Sequence, residues 1–112
     1  MAAGFELTVR DVEGGKLGIV YFGATPKATP WGAGSSYQCV ALPVKRTAVQ
    51  SAGGTAGQCD GALRVDFNTW MDANPTKAPP AGQTTYVQGW FRDPPAPKGT
   101  SLSDALRFVV CP

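Results

Sequence analysis

The alternation of apolar and polar residues at every second position is the feature of this sequence that most constrains its fold. Phe5, Leu7 and Val9 alternate with polar side chains, and the same pattern returns over residues 63–67. A two-residue period places successive side chains on opposite faces of an extended chain, so it predicts half-buried β-strands. Residues 17–22 are instead continuously apolar, which is typical of a strand covered on both faces.

Turn-forming residues separate these strand-like segments. Glycine (14) and proline (10) are more frequent among the 112 residues than in an average domain, where together they make up about 12%. Their clusters predict loops over residues 23–34, 51–57 and 76–82. Further strands are predicted over residues 37–42, 85–92 and 105–111.

Together these segments predict an all-β fold. We expect a single domain, residues 1–112, built as an antiparallel β-sandwich of about six to eight strands, either immunoglobulin-like or jelly-roll-like. At most one short helical turn fits, near residues 69–73, because Asn68 can cap its start and Pro75 disfavours helix at the preceding residue.

Composition excludes several classes of function. The net charge is +2 and charged residues make up 16% of the chain, without the clustered basic residues that nucleic-acid binding requires. No apolar run approaches the ~20 residues of a membrane span. The chain contains no histidine, so neither a Ser-His-Asp nor a Cys-His arrangement can form. A pair of carboxylates remains as a route to catalysis, but nothing in the sequence brings two together, and we expect no enzyme activity.

Calcium is the one cofactor worth weighing, since extracellular β-sandwiches often bind it through loop carboxylates. Asp60, followed by Gly61, and Asp104 are the candidate ligands. Because the sequence has no Asp-x-Asp-x-Asp spacing, we predict no cofactor and no metal site.

Aromatic side chains are the only residues with binding character. Trp31, Tyr37, Trp70 and Tyr86 are the candidate binding residues, because exposed aromatic rings offer flat platforms to sugar rings or polymer chains. Alternation along residues 85–92 puts the even-numbered side chains on one face and the odd-numbered ones on the other. Trp90 is assigned to the core, since one of these two faces must be buried.

The three cysteines predict one disulfide and one unpaired thiol. Cys39 and Cys59 flank a loop rich in glycine, serine and alanine, and a bridge between them would restrict that loop in the unfolded chain. A Cys39–Cys111 bridge and three reduced, buried thiols are the alternatives. A disulfide indicates an oxidising compartment, so we expect the protein to be secreted or to lie on the cell surface.

The C-terminal third has a distinctive combination of segments: residues 86–98 (YVQGWFRDPPAPK), residues 101–106 (SLSDAL) and a terminal Cys-Pro. It resembles the C-terminal domain of large secreted or surface proteins of planctomycete-type bacteria, and the similarity extends over about residues 17–112. The resemblance implies a secreted β-sandwich appended to larger proteins, and it names no ligand and no catalytic residue. Some members of this group carry counterparts of Cys39 and Cys111 only. The segment around Cys59 matches other members, which carry counterparts of both Cys39 and Cys59.

Two functions from different classes follow. The first is a non-catalytic accessory domain of a secreted bacterial protein that binds polysaccharide or a cell surface. The second is a structural, assembly or secretion-sorting domain that associates with copies of itself through unpaired sheet edges.

Overall fold

The computed structural model describes residues 4–31, 36–94 and 98–111. The described residues form an all-β, sandwich-like fold with several antiparallel sheets and one short helix, which confirms the predicted fold class. Ten strands are present there, more than the six to eight expected, because several have only two or three residues.

The strands follow one another with a single helical interruption. They are β1 (Glu6–Val12), β2 (Leu17–Gly23), β3 (Pro26–Pro30), β4 (Tyr37–Val40), β5 (Lys45–Arg46), β6 (Gln50–Ser51), β7 (Gly61–Asp66), β8 (Thr84–Arg92), β9 (Thr100–Leu102) and β10 (Leu106–Val109). The helix α1 (Phe67–Ala73) lies between β7 and β8.

A central sheet carries the rest of the molecule. Its strand order is β10-β8-β2-β5, with β6 also pairing with β2 and β9 also pairing with β8. The long strands β2 and β8 pair from Gly18 opposite Phe91 to Gly23 opposite Tyr86. The continuous apolar run of β2 is buried on both faces, as the sequence predicted, because a hydrophobic core packs on each side of the central sheet.

One face of the central sheet, called here the closed face, carries Val20, Phe22 and Val87. The antiparallel pair β1–β7 and helix α1 pack on this face and form the larger hydrophobic core. Leu63 and Phe67 are fully buried there. The alternation seen in β1 and β7 therefore matches one covered face for each strand.

The other face, called here the open face, carries Ile19, Tyr21 and Trp90. The hairpin β3–β4 covers it in part, and Val40 of β4 belongs to the smaller core on this side. The even-numbered residues of β8 lie on the open face and the odd-numbered ones on the closed face, as the alternation predicted.

Two local predictions need correction. Residues 26–30, expected within a loop, form strand β3, because prolines are tolerated where a strand lies at the edge of a two-stranded sheet. The helix begins at Phe67, and its N-cap is Asp66 rather than Asn68: the Asp66 carboxylate accepts a hydrogen bond from the Thr69 amide.

The predicted Cys39–Cys59 disulfide is absent, and so is the alternative bridge to Cys111. All three cysteines lie in the described residues as free thiols. Cys39 is held on the open face, where its amide bonds to Gln88. Cys59 lies in a loop that folds back on the turn between β1 and β2, where the Gly14 amide donates to the Gln58 carbonyl (2.9 Å). Backbone hydrogen bonds thus fix this loop without a bridge.

Candidate ligand-binding cavity

The register of the central sheet brings distant residues into rows on the open face. Trp90 of β8 pairs with Ile19 of β2 on one side and with Leu102 of β9 on the other. Tyr21 pairs likewise with Gln88 and with Arg46 of β5. Directly opposed residues on one face have neighbouring side chains, so these two rows form a continuous surface.

A cavity of about 640 Å³ opens above this surface, between the central sheet and the β3–β4 side of the molecule. We call it the aromatic cavity. Its apolar wall consists of Ile19, Tyr21, Trp31, Leu42, Val44, Trp90 and Leu102. Its polar and charged lining consists of Gln38, Arg46, Lys98 and Thr100. Apolar walls with a few polar groups are typical of small-molecule sites, and the volume is in the usual range of roughly 300–1,000 Å³.

The Trp31 ring is fixed at the wall of the cavity by two contacts. Its indole N–H donates a hydrogen bond to the Thr100 hydroxyl (3.0 Å). The ammonium of Lys98 lies 4.1 Å from the ring centroid, which is within the range of a cation–π interaction. The ring is therefore held in place before any ligand arrives, which lowers the ordering cost of binding.

The charge in the cavity has one sign. Arg46 and Lys98 are both exposed cations, and none of the described lining residues is acidic. Neither cation forms an ion pair with a described carboxylate. Lys27 adds a third positive charge nearby, because its ammonium lies 3.4 Å from the Gln38 side-chain oxygen.

Gln88 supports the floor beneath the aromatic side chains. Its side-chain oxygen accepts hydrogen bonds from the Tyr21 hydroxyl and the Cys39 amide (3.0 Å). Its nitrogen donates to the carbonyls of Tyr37 (2.7 Å) and Ser103 (2.6 Å). The amide thus makes four hydrogen bonds, its full capacity, and joins β2, β4, β8 and the segment after β9.

The Tyr21 phenol, which belongs to this network, has a shifted pKa. Burial raises the pKa of Tyr21 to about 12, with a smaller contribution from Cys39. The phenol is therefore neutral at physiological pH and stays a hydrogen-bond donor to Gln88.

The four predicted binding residues occupy different places. Trp31 lines the aromatic cavity. Tyr86 lies half-buried against the smaller core on the same face, and Tyr37 is 50% exposed on β4 without lining the cavity. Trp70 lies on the closed side, where its ring stacks on Phe67 with centroids 5.6 Å apart. The structure therefore brings only Trp31 into the cavity.

Sequence reasoning missed most of the cavity. Trp90 was assigned to the core; it is half-buried and packs against the smaller core, but it also forms part of the cavity wall. Nothing in the sequence marked Arg46, Lys98 or Thr100 as parts of one site, because Arg46 lies far along the chain from Lys98 and Thr100. Besides Trp31, only the alternation in β8, which puts Trp90 on the same face as Tyr86, pointed towards this surface.

A second cavity of about 470 Å³ lies between β1 and β8. Its lining contains side chains of both charges: the acidic residues Glu6, Asp11 and Asp104, and the basic residue Arg10. Asp60, the other calcium candidate, lies elsewhere, and its carboxylate accepts a hydrogen bond from the Thr55 amide (2.7 Å). That hydrogen bond lowers the pKa of Asp60. The described residues contain no group of three carboxylates or thiols arranged to hold a metal ion.

Comparison with known proteins gives no family or relative. No model of a protein family, no curated protein and no solved structure matches this chain. Among the described residues, no helix has the length and apolar character needed to span a membrane. The residues of the aromatic cavity therefore carry the evidence on function.

Proposed function

We propose that this chain is a non-catalytic accessory domain of a secreted bacterial protein and that it binds polysaccharide in the aromatic cavity. The observation that carries the proposal is the Trp31–Trp90 wall, in which one indole is fixed by Thr100 and Lys98. Indole rings present flat, apolar faces with a polar edge. Such faces suit the apolar side of a pyranose ring, while the neighbouring polar groups suit its hydroxyls.

The resemblance to the C-terminal domains of secreted proteins in planctomycete-type bacteria supports the part of the proposal that makes this chain a secreted accessory domain, and it names no ligand. The strand that carries much of that resemblance, β8, supplies Trp90 to the cavity wall and Gln88 to the network beneath it. A domain of this kind would direct a larger protein to a surface, which requires binding and no chemical step.

Affinity electrophoresis in gels containing soluble polysaccharides, together with pull-down on insoluble ones, tests the proposal. We expect Trp31→Ala to weaken binding about ten-fold or more, as loss of a central tryptophan commonly does. Tyr37→Ala is the matched control, since this exposed aromatic lies outside the cavity. Leu42→Ser, a change at a 72% exposed position of the cavity wall, gives a second variant that leaves the core intact.

Equal loss in the Tyr37→Ala and Trp31→Ala variants would place binding outside the cavity. Absence of binding to every polysaccharide in the panel by the folded wild-type protein would overturn the proposal.

The second candidate function, self-association, rests on β10. This strand ends the central sheet and pairs only with β8 among the described strands. Leu106 and Val109 on it are 53% and 52% exposed. An unpaired edge with exposed apolar side chains can pair with a second copy. Mass measurement by light scattering after size exclusion tests this, and Val109→Lys is expected to return a dimer to the monomer.

A further inference from the structure

We infer that the aromatic cavity selects acidic saccharides and that Arg46 and Lys98 bind the carboxylate of a uronic acid residue. This inference rests on the proposed function and gives its ligand a chemical class. The occupant is a carboxylate-bearing pyranose, with its ring against the indole wall and its acid group towards the two cations.

Charge complementarity is the first support. Arg46 and Lys98 both line the cavity, and none of the described lining residues is acidic. The ion pairs Lys16–Glu13 and Arg64–Glu6 involve neither of these two cations. Two cations that have no carboxylate partner among the described residues and lie beside one cavity attract an anion more strongly than a neutral ligand.

The position of Arg46 is the second support. It lies directly opposite Tyr21 on β2, so its side chain lies next to the Tyr21 ring on the open face. A guanidinium is a planar fork of donors that fits a carboxylate with two parallel hydrogen bonds. Its neighbour Lys45 pairs with Phe22 and therefore points to the opposite face of the sheet.

The neutral polar groups are the third support. Gln38 and Thr100 line the same cavity, and an amide and a hydroxyl can bond to the ring hydroxyls of a sugar. Lys27 is close enough to the Gln38 oxygen to add positive charge at that rim (3.4 Å). The cavity therefore combines a stacking wall, hydroxyl partners and an anion site.

The test compares acidic polysaccharides with their own neutral forms. Polygalacturonate, polymannuronate and polyglucuronate are each measured beside the same polymer after reduction of its carboxyl groups to primary alcohols. We expect the acidic form of at least one polymer to bind at least five-fold more tightly than its reduced form. Because the charges are exposed, this preference should shrink as salt rises and shortens the screening length to less than about 10 Å.

The variants are matched by position and charge. Arg46→Gln should weaken binding of the acidic polymer about five-fold and leave binding of the reduced polymer within two-fold. Lys98→Gln should also weaken binding of the acidic polymer, but because Lys98 contacts the Trp31 ring, binding of the reduced polymer should fall as well, and the comparison of acidic with reduced polymer rests on Arg46→Gln. Lys45→Gln removes one positive charge from the adjacent residue on the other face, and we expect it to change binding of the acidic polymer by less than two-fold.

The outcomes separate this inference from the proposed function. If a reduced or neutral polysaccharide binds as well as the acidic one, and Trp31→Ala abolishes that binding, the cavity binds sugars but acid selectivity is wrong. Equal effects of Lys45→Gln and Arg46→Gln would show a general charge effect and would also overturn it. If no polymer binds, both the inference and the proposed function fail.

Discussion

The two faces of the central sheet use aromatic residues in opposite ways. On the closed face, Phe67 is fully buried and meets Phe5, Phe22 and Phe108 edge to face and Trp70 in a stack. On the open face, Trp31 and Trp90 remain half-buried and line a cavity. Tyr21 and Phe22 are adjacent in β2, and their rings lie on opposite faces of the central sheet.

The difference follows from the polar atoms of the rings. A phenylalanine ring needs no hydrogen-bond partner, so such rings can be closed to water, and the one tryptophan of this cluster, Trp70, is only partly buried. A tyrosine or tryptophan that is buried needs a partner for its O–H or N–H. Tyr21 finds Gln88, and Trp31 finds Thr100. The closed face can therefore be filled for stability, whereas the open face keeps polar groups and space that a ligand can use.

The largest effect should come from the closed face. Phe67→Ala removes a ring with no exposed surface and leaves a cavity among four aromatic neighbours. We expect a loss of about 3–5 kcal/mol in the free energy of unfolding, measured by urea denaturation. Leu42→Ala on the open side, at a 72% exposed position, should cost under about 0.5 kcal/mol. Similar losses in the two variants would mean that the faces do not differ as described.

The next effect tests the network beneath the cavity. Gln88→Leu leaves the Tyr21 hydroxyl, the Cys39 amide and two carbonyls without their partner. We expect a loss of about 2–4 kcal/mol, because buried polar groups lose their hydrogen bonds.

Gln50→Leu is the matched control for this variant. The Gln50 side chain also makes hydrogen bonds through both of its polar atoms. Its nitrogen donates to the Arg64 carbonyl (2.9 Å), and its oxygen accepts from the Arg64 amide (2.8 Å). It lies nearer the surface, where water can replace it, so its loss should be about 1 kcal/mol or less. A smaller loss for Gln88→Leu than for Gln50→Leu would contradict the assigned role of Gln88.

A smaller effect depends on pH. The pKa of Tyr21 is raised to about 12, from about 10 in an unfolded chain. Between pH 10 and 12 the folded protein therefore binds the phenol proton more tightly than the unfolded chain does. The contribution of the neutral Tyr21 phenol to stability is complete below pH 10 and is lost as the pH rises through 12. At pH 11 the loss should be about 1 kcal/mol. Tyr21→Phe should show a shallower fall than wild type in denaturation at pH 9 and pH 11; parallel falls would reject the assignment.

The smallest effect should be a gain on the closed face. The hydroxyl of Thr85 is fully buried on β8 and has no hydrogen-bond partner among the described residues. Thr85→Val replaces it with a methyl group and should raise the free energy of unfolding by up to about 1 kcal/mol. Thr47→Val is the contrast, since the Thr47 hydroxyl donates to the Val20 carbonyl (2.8 Å), and it should be destabilising. A loss for Thr85→Val would point to a hydrogen bond at this site.

The sequence by itself determined the strands with the clearest patterns. Alternation predicted β1, most of β7 and both faces of β8, and the apolar run of β2 predicted a strand covered on both sides. These predictions succeeded because a two-residue period is a local property of an extended chain. They failed where tertiary pairing overrode local composition, as in β3, whose two prolines indicate a loop until an edge position accommodates them.

Only the tertiary structure decided which residues share a site. Arg46 and Trp90 line one cavity because the register of β2 with β5 and β8 places them in neighbouring rows. Trp31 and Lys98 join them through the Trp31–Thr100 hydrogen bond and the contact of Lys98 with the Trp31 ring. Trp31 and Trp70 look alike in the sequence, yet one lines a cavity and the other packs in the core on the opposite side. Cys39 and Cys59 form no disulfide, because β5 and β6, which lie between them in the chain, pair with β2 and the loop before Cys59 is tied to the turn at Gly14. Register and layer packing are set by contacts between distant segments, and a local pattern does not contain them.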